Sequence, residues 1–429
     1  MRLQSRLKIA HGRCAEPAET ISRLEALLEP RASYWLHHES VSESLHWAAM
    51  FIEDQPDFRS MGKGVTAELS HAGALAEGAE WLTSRDTASL PGYLAAHQSE
   101  VPNPLRISSL LEHVATATPP VLQRVCALDE AKHWVTGYSL LEDEPREIQV
   151  PLEYVRLISG PNGKASGNFL EEAIVHATNE IFERRAHITV LRNRLVVPTI
   201  DASTIDHPVL REQIRFLCSL GIEIILKDLS FGGVLPCVGA YFVDPNIPAD
   251  SQFRHFFKVG ASFDREEALL RTFTEFVQGR KREEFVDLES IRKTQGEAAA
   301  TESLKQLLAA DFRNLRTQDE DCDNFLSSFM FGMVPYRNAD FLREGERVAF
   351  DKGTRYEDCL DDIDHARSIC EALNKNYIAV DLTDPEIGFP VVQVVIPGYS
   401  DVLPFHPVTS PALFRQARRS EVIAAYLAP

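Results

Sequence analysis

Apolar residues recur along the chain with two periods, which predict that helices and strands alternate. The helices predicted from a spacing of three to four residues cover 18–28, 168–186, 207–220 and 264–282. Asn168 and Asp264 are the first residues of two of these segments and are predicted N-caps. The strands predicted from short apolar runs cover 34–38, 194–200, 222–226, 238–243, 378–381 and 389–398, the last closing a sheet.

Other stretches depart from this pattern. Gly62, Lys63 and Gly64 predict a glycine turn that leads into an Ala- and Gly-rich helix, and the proline-interrupted residues 86–150 are predicted to be irregular. The charged segment 281–323 is a predicted surface excursion. The predicted organisation is an N-terminal entry segment at 1–50, a main domain at 51–410 and a tail helix at 411–429.

Composition narrows the class of protein. The 429 residues include 44% hydrophobic and 25% charged residues, as in an ordinary globular protein, and a net charge of −19 disfavours broad binding to nucleic acid. The N-terminus is too charged for a signal peptide, and no run of about 18 apolar residues occurs. A cytoplasmic protein without a membrane segment is therefore predicted.

The cysteines do not form a recognisable ligand or redox motif. Their number is odd, they are scattered and none forms a CxxC pair, so they are interpreted as reduced thiols that mostly serve packing. The seven are Cys14, Cys126, Cys218, Cys237, Cys322, Cys359 and Cys370.

Carboxylates recur three residues apart in helical segments. Residues i and i+3 share a helix face, so each such pair presents its side chains together. The pairs are Glu77 with Glu80 and Glu180 with Glu183. Glu275 and Gln278 have the same i, i+3 spacing, and Arg271 lies one helical turn before Glu275. Converging carboxylates repel one another unless cations lie between them. Clustered Glu beside glycine–lysine segments suggests Mg²⁺ and phosphate.

The helix at 168–186 has the strongest pattern. Glu172, His176, Glu180 and Glu183 fall within one arc of the helix, and apolar residues occupy the opposite side. A solvated acidic face is the simpler interpretation of this helix alone, and a packed histidine is the simpler interpretation of His176. The similarly spaced pairs Glu77 with Glu80 and Glu275 with Gln278 favour a ligand site instead.

Familiar nucleotide motifs are absent from the sequence. Gly163-Lys164 lacks the upstream glycine and following Ser or Thr of a P-loop, and Gly62-Lys63-Gly64 does not extend to GxGxxG. HExxH, GxSxG and a complete EF-hand loop are also missing. A nucleotide would have to be held in another way.

Five segments, in order and spacing, resemble the YcaO superfamily. They are GKGVTAELSHAGALAEGAEW at 62–81, NGKASGNFLEEAIVHATNEIFERR at 162–185, PTIDASTIDHP at 198–208, DREEALLRTFTEFVQGR at 264–280 and VVIPGYSDVLP at 394–404. The likeness is strongest to stand-alone bacterial members, without their C-terminal helical extension. It implies an α+β fold in which mixed sheets and packed helices form a non-P-loop ATP site.

The resemblance also implies roles for individual residues. Those implied for Mg²⁺ are Glu77, Glu80, Glu172, Glu180 and Glu183. Those implied for ATP are Arg13, Lys63, Asn168, Glu172, Arg184, Glu275 and Gln278, with Thr20 in the same N-terminal element as Arg13. Those implied for catalysis are Arg184, Gln278 and Arg280. Gly73 and Trp81 depart from the serine and arginine usual in the first family motif.

The resemblance leaves several functions open. The leading expectation is ATP- and Mg²⁺-dependent activation of a peptide backbone amide, giving an azoline or a thioamide. The alternative is a nucleotide-binding accessory factor for methylthiolation of ribosomal protein S12, and a third is a relative that has lost nucleotide binding. The expected partners are a peptide or protein substrate, a TfuA-like protein or methylthiotransferase, and a second copy of the chain.

Overall fold

The computed structural model describes residues 1–9, 11–83, 92–106, 133–246, 254–279 and 340–400, together with Ala88, Leu90 and Leu110. The chain divides into two compact units. Unit 1 comprises 1–32, 75–185 and 355–429, and unit 2 comprises 33–74 and 186–354.

The described helices and strands are numbered here in chain order. The helices are α1 (Pro17–Leu28), α2 (Ala67–Thr83), α3 (Leu152–Ser159), α4 (Leu170–Asn193), α5 (Pro208–Ser219), α6 (Arg265–Val277) and α7 (Cys359–Ala372). The strands are β1 (Tyr34–Ser42), β2 (Leu45–Ile52), β3 (Gln55–Gly64), β4 (Leu94–Ala95), β5 (His133–Ser139), β6 (Arg146–Val150), β7 (Lys164–Ser166), β8 (Thr199–Ile200), β9 (Glu223–Asp228), β10 (Cys237–Val243), β11 (His255–Ala261), β12 (Arg347–Val348), β13 (Ile378–Asp381) and β14 (Val391–Val395). The division between the units falls within α2 and α4.

Unit 1 is built on a six-stranded sheet. Its strands follow the order β4-β5-β13-β14-β7, and β6 pairs with β5. All these pairings are antiparallel, and β7 places Lys164 opposite Gln393 of β14. The apolar side chains of this sheet pack with residues of α3, such as Leu152 and Val155. The short strand β7 lies directly before α4, so the predicted site helix starts at the edge of this sheet.

Unit 2 contains two sheets and the helices α5 and α6. The antiparallel sheet β1-β2-β3 and the five-stranded sheet β11-β10-β9-β8-β12 contribute to one apolar core with residues of both helices, such as Leu217 and Phe273. Only the pairing of β8 with β12 is parallel, so the second sheet is mixed. Asp264 accepts hydrogen bonds from the amides of Glu266 and Glu267, which confirms it as the N-cap of α6.

The predicted glycine turn at residues 62–64 is wrong, because these residues form the end of β3. Their glycines serve close packing. A Cβ on Gly62 would overlap with the backbone of Ser70 and Ala74 in α2, and a Cβ on Gly73 would lie 3.1 Å from the Cα of Gly62. Strand and helix backbones therefore approach each other more closely than larger residues allow.

Three other boundaries differ from the predictions. Residues 194–200 were expected to form a strand, but α4 runs to Asn193, Arg194 has a left-handed φ of 49° and only β8 is extended. Short apolar runs do not distinguish strand from helix end. The stretch 86–150 is not uniformly irregular, because it contains β5 and β6. Helix α6 ends at Val277, before Gly279 with its φ of +81°.

The predicted helices 18–28 and 207–220 and the strands at 34–38, 222–226, 238–243 and 378–381 are confirmed with small shifts of their ends. The excursion at 281–323 and the tail helix at 411–429 lie outside the described residues. Within the described part of the chain, no helix combines the length and apolar character needed to cross a membrane.

Candidate functional site

Glu77 and Glu80 lie one turn apart on α2, in the part of that helix assigned to unit 1. Glu77 is exposed, whereas the side chain of Glu80 is only 18% exposed. The Oε1 atom of Glu80 lies 3.7 Å from the Nζ atom of Lys164, whose side chain is 13% exposed. A lysine on β7 thus partly balances the inner carboxylate of this pair.

The environment of Glu80 opposes its ionisation. Burial raises the pKa of its carboxyl from 4.5 to about 8; Lys164 opposes this shift, whereas the carboxylates of Glu77 and Glu180 add to it. Burial also lowers the pKa of Lys164, although Glu80 favours its charged form. One lysine does not offset the burial of this carboxylate and the charge of its neighbours.

Glu180 is held from two sides on α4. The backbone amide of Gly163 donates to its Oε2 atom at 3.1 Å, and the Nη2 atom of Arg184 lies 3.6 Å from its Oε1 atom. Gly163 has a φ of +79°, and a Cβ there would lie 2.7 Å from the carbonyl oxygen of Val394. Only glycine brings this amide to the carboxylate without strain. Glu183, three residues later, is half-buried.

Glu172 lies in a different environment, in the first turn of α4. Its side chain is fully buried and accepts hydrogen bonds from the backbone amide of Cys14 at 3.2 Å and from Nδ2 of Asn168 at 3.4 Å. The Nη1 atom of Arg13 lies 3.4 Å from Oε1 of Glu172 and 2.7 Å from Nδ1 of His176. A cation and two amides therefore surround this buried carboxylate, as a buried charge requires.

The prediction that Asn168 is the N-cap of α4 is wrong, because the helix begins two residues later, at Leu170. Its side chain is used elsewhere. The hydroxyl of Thr20 donates to Oδ1 of Asn168 at 3.1 Å, while Nδ2 of Asn168 faces Glu172. The structure thus brings the predicted residues Arg13, Thr20, Asn168 and Glu172 together.

The predicted residues of unit 2 form a separate charged group. Glu275 on α6 pairs with Lys63 on β3, and its Oε1 atom lies 3.6 Å from the Nζ atom of Lys258 on β11. Gln278 is half-buried directly after α6, and Arg280 lies outside the described residues. Glu275 has two lysine partners, so within this unit it acts as a counter-ion.

Two site residues were missed by the sequence reasoning. Lys164 does not fit the P-loop pattern, but its position 16 residues before Glu180 in one family segment is a usable signal. Lys258 lies on β11, a strand that was not predicted. A lone lysine on an unpredicted strand carries no local signal of a partner on α6.

The residues around Glu80 suit a divalent cation. In the described ranges of the chain, no group of three or more His, Cys, Asp or Glu side chains is arranged as a ready metal site. The raised pKa of Glu80 beside Glu77 and Glu180 nevertheless marks a place where added positive charge would favour the ionised carboxylates. Carboxylate oxygens are also the ligands that Mg²⁺ prefers.

The chain matches the model of a known family. The family model described as YcaO cyclodehydratase, ATP- and Mg²⁺-binding, matches residues 61–400. The chain belongs to the YcaO family, as its sequence motifs predicted. The membership confirms ATP and Mg²⁺ as the predicted cofactors, and the mixed sheets and helices confirm the predicted α+β class.

Two curated relatives are distant in sequence and longer than this chain. The ribosomal protein S12 methylthiotransferase accessory factor YcaO of Escherichia coli is 24% identical over 268 residues, which cover 61% of this chain and 40% of the relative. An uncharacterized Haemophilus influenzae protein is 23% identical over 375 residues, covering 82% of this chain and 59% of the relative. The chain therefore spans about half the length of these two relatives.

Solved structures share the fold. A heterocyclase in complex with substrate and cofactor superposes with a TM-score of 0.68 at 19% identity, covering 93% of this chain and 54% of the heterocyclase chain. The YcaO protein of Methanopyrus kandleri, bound with AMPPCP and Mg²⁺, gives a TM-score of 0.61 at 18% identity, with 94% and 96% covered.

Proposed function

We propose that this chain uses ATP and Mg²⁺ to activate a backbone amide of a peptide or protein by O-phosphorylation, for azoline or thioamide formation. Family membership supports the ATP-dependent part of this proposal, and the heterocyclase among the structural neighbours supports the type of reaction. In the proposed reaction a nucleophile adds to the amide carbon, and the resulting oxyanion takes the γ-phosphoryl group of ATP and releases ADP. The bond between this carbon and its oxygen then breaks, and inorganic phosphate leaves.

The proposed roles follow the contacts within unit 1. Glu77, Glu80, Glu180 and Glu183 are proposed to hold Mg²⁺, which would offset the charge of the phosphates. Arg184 beside Glu180 supplies a guanidinium suited to phosphate oxygens. Glu172 is the fifth proposed metal ligand, although Arg13 and two amides already contact it.

The remaining roles are proposed on the family resemblance. Arg13, Asn168, Lys63, Glu275 and Gln278 are proposed nucleotide contacts, and Gln278 and Arg280, with Arg184, are proposed to assist the transfer. The observation that carries the proposal is Glu80, a half-buried carboxyl whose pKa is raised to about 8 by desolvation and by the neighbouring carboxylates of Glu77 and Glu180. Without a further cation beside Lys164, the ionised carboxylates destabilise one another.

The substitution Glu180→Gln tests the assignment. It keeps the shape of the side chain but removes the charge and one carboxylate oxygen. We expect Mg²⁺-dependent ADP formation, measured with a coupled assay, to fall by at least about 100-fold, as for other losses of transition-state charge stabilisation. Glu371→Gln, on an exposed position of α7, is the control. Wild-type turnover in Glu180→Gln would contradict the site assignment.

A second candidate function is an accessory role in the methylthiolation of ribosomal protein S12, as the name of the Escherichia coli relative suggests. Gly73 and Trp81 favour this candidate. Gly73 packs against Gly62, which leaves little room for the usual serine, and Trp81 is 37% exposed where the family has arginine. Both departures fit a site with relaxed demands on catalysis.

Calorimetry and product analysis separate the two candidates. Tight Mg-ATP binding with no ADP formed over hours, whichever peptide is offered, supports the accessory role. A burst of ADP that depends on an added peptide supports the enzyme. Lack of Mg-ATP binding at millimolar concentration would instead support the third alternative, a relative that has lost nucleotide binding.

The proposed partners are a peptide or protein substrate, a TfuA-like protein or methylthiotransferase, and a second copy of the chain. A cytoplasmic location is proposed with them. Light scattering coupled to gel filtration tests the proposed homodimer, with a monomer mass as the contradicting result.

A further inference from the structure

His176 makes a specific contact that a merely packed helix histidine would not need. It is half-buried on α4, one turn after Glu172 and one turn before Glu180. Its Nδ1 atom lies 2.7 Å from Nη1 of Arg13. This distance is shorter than the 3.4 Å between the same nitrogen and Oε1 of Glu172.

The chemistry of Arg13 and His176 determines which of the two nitrogens donates the hydrogen bond. A guanidinium has only donors, so Nδ1 of His176 must accept and cannot carry a proton in this arrangement. The neutral imidazole then has its proton on Nε2. Arg13 thus donates from one nitrogen to a neutral acceptor and to a buried carboxylate.

Glu172 alone does not fix the direction of the guanidinium. Its Oε2 atom is already used by the amides of Cys14 and Asn168, which leaves Oε1 for Arg13 at a long distance. The Arg13 side chain is 36% exposed, so a ligand can reach it. An arginine with this exposure loses rotamer freedom on binding unless a neighbour holds it in advance.

We propose that His176 is a positioning residue that orients the guanidinium of Arg13 for the phosphates of the nucleotide and acts only through Arg13. The proposal rests on the proposed function, because it requires that Arg13 contacts the nucleotide. Glu172 balances the charge of the Arg13 guanidinium, and His176 holds that guanidinium in one orientation.

A double-mutant cycle of His176→Leu and Arg13→Met tests this role. The dissociation constant for Mg-AMPPCP is measured by calorimetry, and KM and kcat for ATP are measured separately. We expect His176→Leu to raise both the dissociation constant and KM about tenfold, with kcat within about twofold, from the loss of one hydrogen bond to a charged group. Arg13→Met should weaken binding at least as much, and the double variant should match Arg13→Met.

Two further variants separate positioning from folding. His176→Gln retains an acceptor on the same helix face and should recover most of the affinity lost in His176→Leu. His365→Leu removes a comparable contact in unit 1, because Nδ1 of His365 lies 2.6 Å from the hydroxyl of Tyr356. It should leave the affinity unchanged. Thermal unfolding of each variant shows whether it remains folded.

The outcomes distinguish the inference from the function on which it rests. If the losses from His176→Leu and Arg13→Met add in the double variant, or if His176→Leu binds Mg-AMPPCP like the wild type, the role of His176 is overturned while the proposed function stands. If the wild type itself does not bind Mg-AMPPCP, both proposals fail. Rescue by His176→Gln with non-additive losses supports the inference.

Discussion

Two carboxylates of unit 1, Glu172 and Glu80, lie in opposite electrostatic surroundings. Glu172 is fully buried and contacts a guanidinium and two amides. Glu80 retains 18% exposure, faces one lysine and is repelled by Glu77 and Glu180. Contacts within the chain balance the charge of Glu172, whereas the ionised form of Glu80 would be stabilised by an added cation. The comparison separates a carboxylate whose charge is largely balanced by contacts within the chain from one whose ionised form needs a further cation.

The largest expected effect is on the pH dependence of stability without Mg²⁺. The folded-state pKa of Glu80 is about 8 against an ordinary 4.5, so the folded protein holds this proton more tightly than the unfolded chain between these values. Stability therefore falls as the pH rises through this window, by an amount on the order of a few kcal/mol. Urea unfolding of the wild type and Glu80→Gln from pH 5 to 8 measures the difference.

Glu80→Gln should show a flatter profile, because glutamine does not titrate. Added Mg²⁺ should flatten the wild-type profile as well, since a bound cation favours the ionised form. Parallel profiles for the wild type and Glu80→Gln would mean that Glu80 is not strained by its neighbours and would remove the contrast with Glu172.

The next largest expected effect is the loss of stability in a variant of Glu172. Glu172→Gln places an NH₂ group among donors from Arg13, Cys14 and Asn168 and removes the charge that balances Arg13. We expect a loss of about 2 kcal/mol in the free energy of unfolding at pH 7, measured in urea. The exposed Glu371→Gln should change it by less than about 0.5 kcal/mol. An equally small loss in Glu172→Gln would show that the contacts of this carboxylate contribute little.

The smallest expected effect on stability is at Glu77. This carboxylate is exposed, so Glu77→Gln should alter the free energy of unfolding by less than about 0.5 kcal/mol. If it shares Mg²⁺ with Glu80, the Mg²⁺ concentration needed for half-maximal ATP turnover should rise several-fold, since a carboxylate oxygen ligand is lost. An unchanged Mg²⁺ requirement would remove Glu77 from the proposed metal ligands.

Local pattern determined much of this protein before its structure was considered. The i and i+3 spacing placed carboxylate pairs on helices, Asp264 was a correct cap, and the five ordered segments identified the family. Each of these signals lies within a short stretch of the chain. Helical periodicity and capping depend on near neighbours, so a single sequence reveals them.

Only the tertiary structure decided which partners surround each carboxylate. Glu172 and Glu180 share one helix face, yet Arg13 and Cys14 reach the first from the N-terminal segment, while Gly163 and Arg184 contact the second. The pairing of Glu80 with Lys164 and of Glu275 with Lys258 likewise joins residues far apart in sequence. Burial and partner charges depend on such long-range packing, and they determine the protonation state that residue spacing alone leaves open.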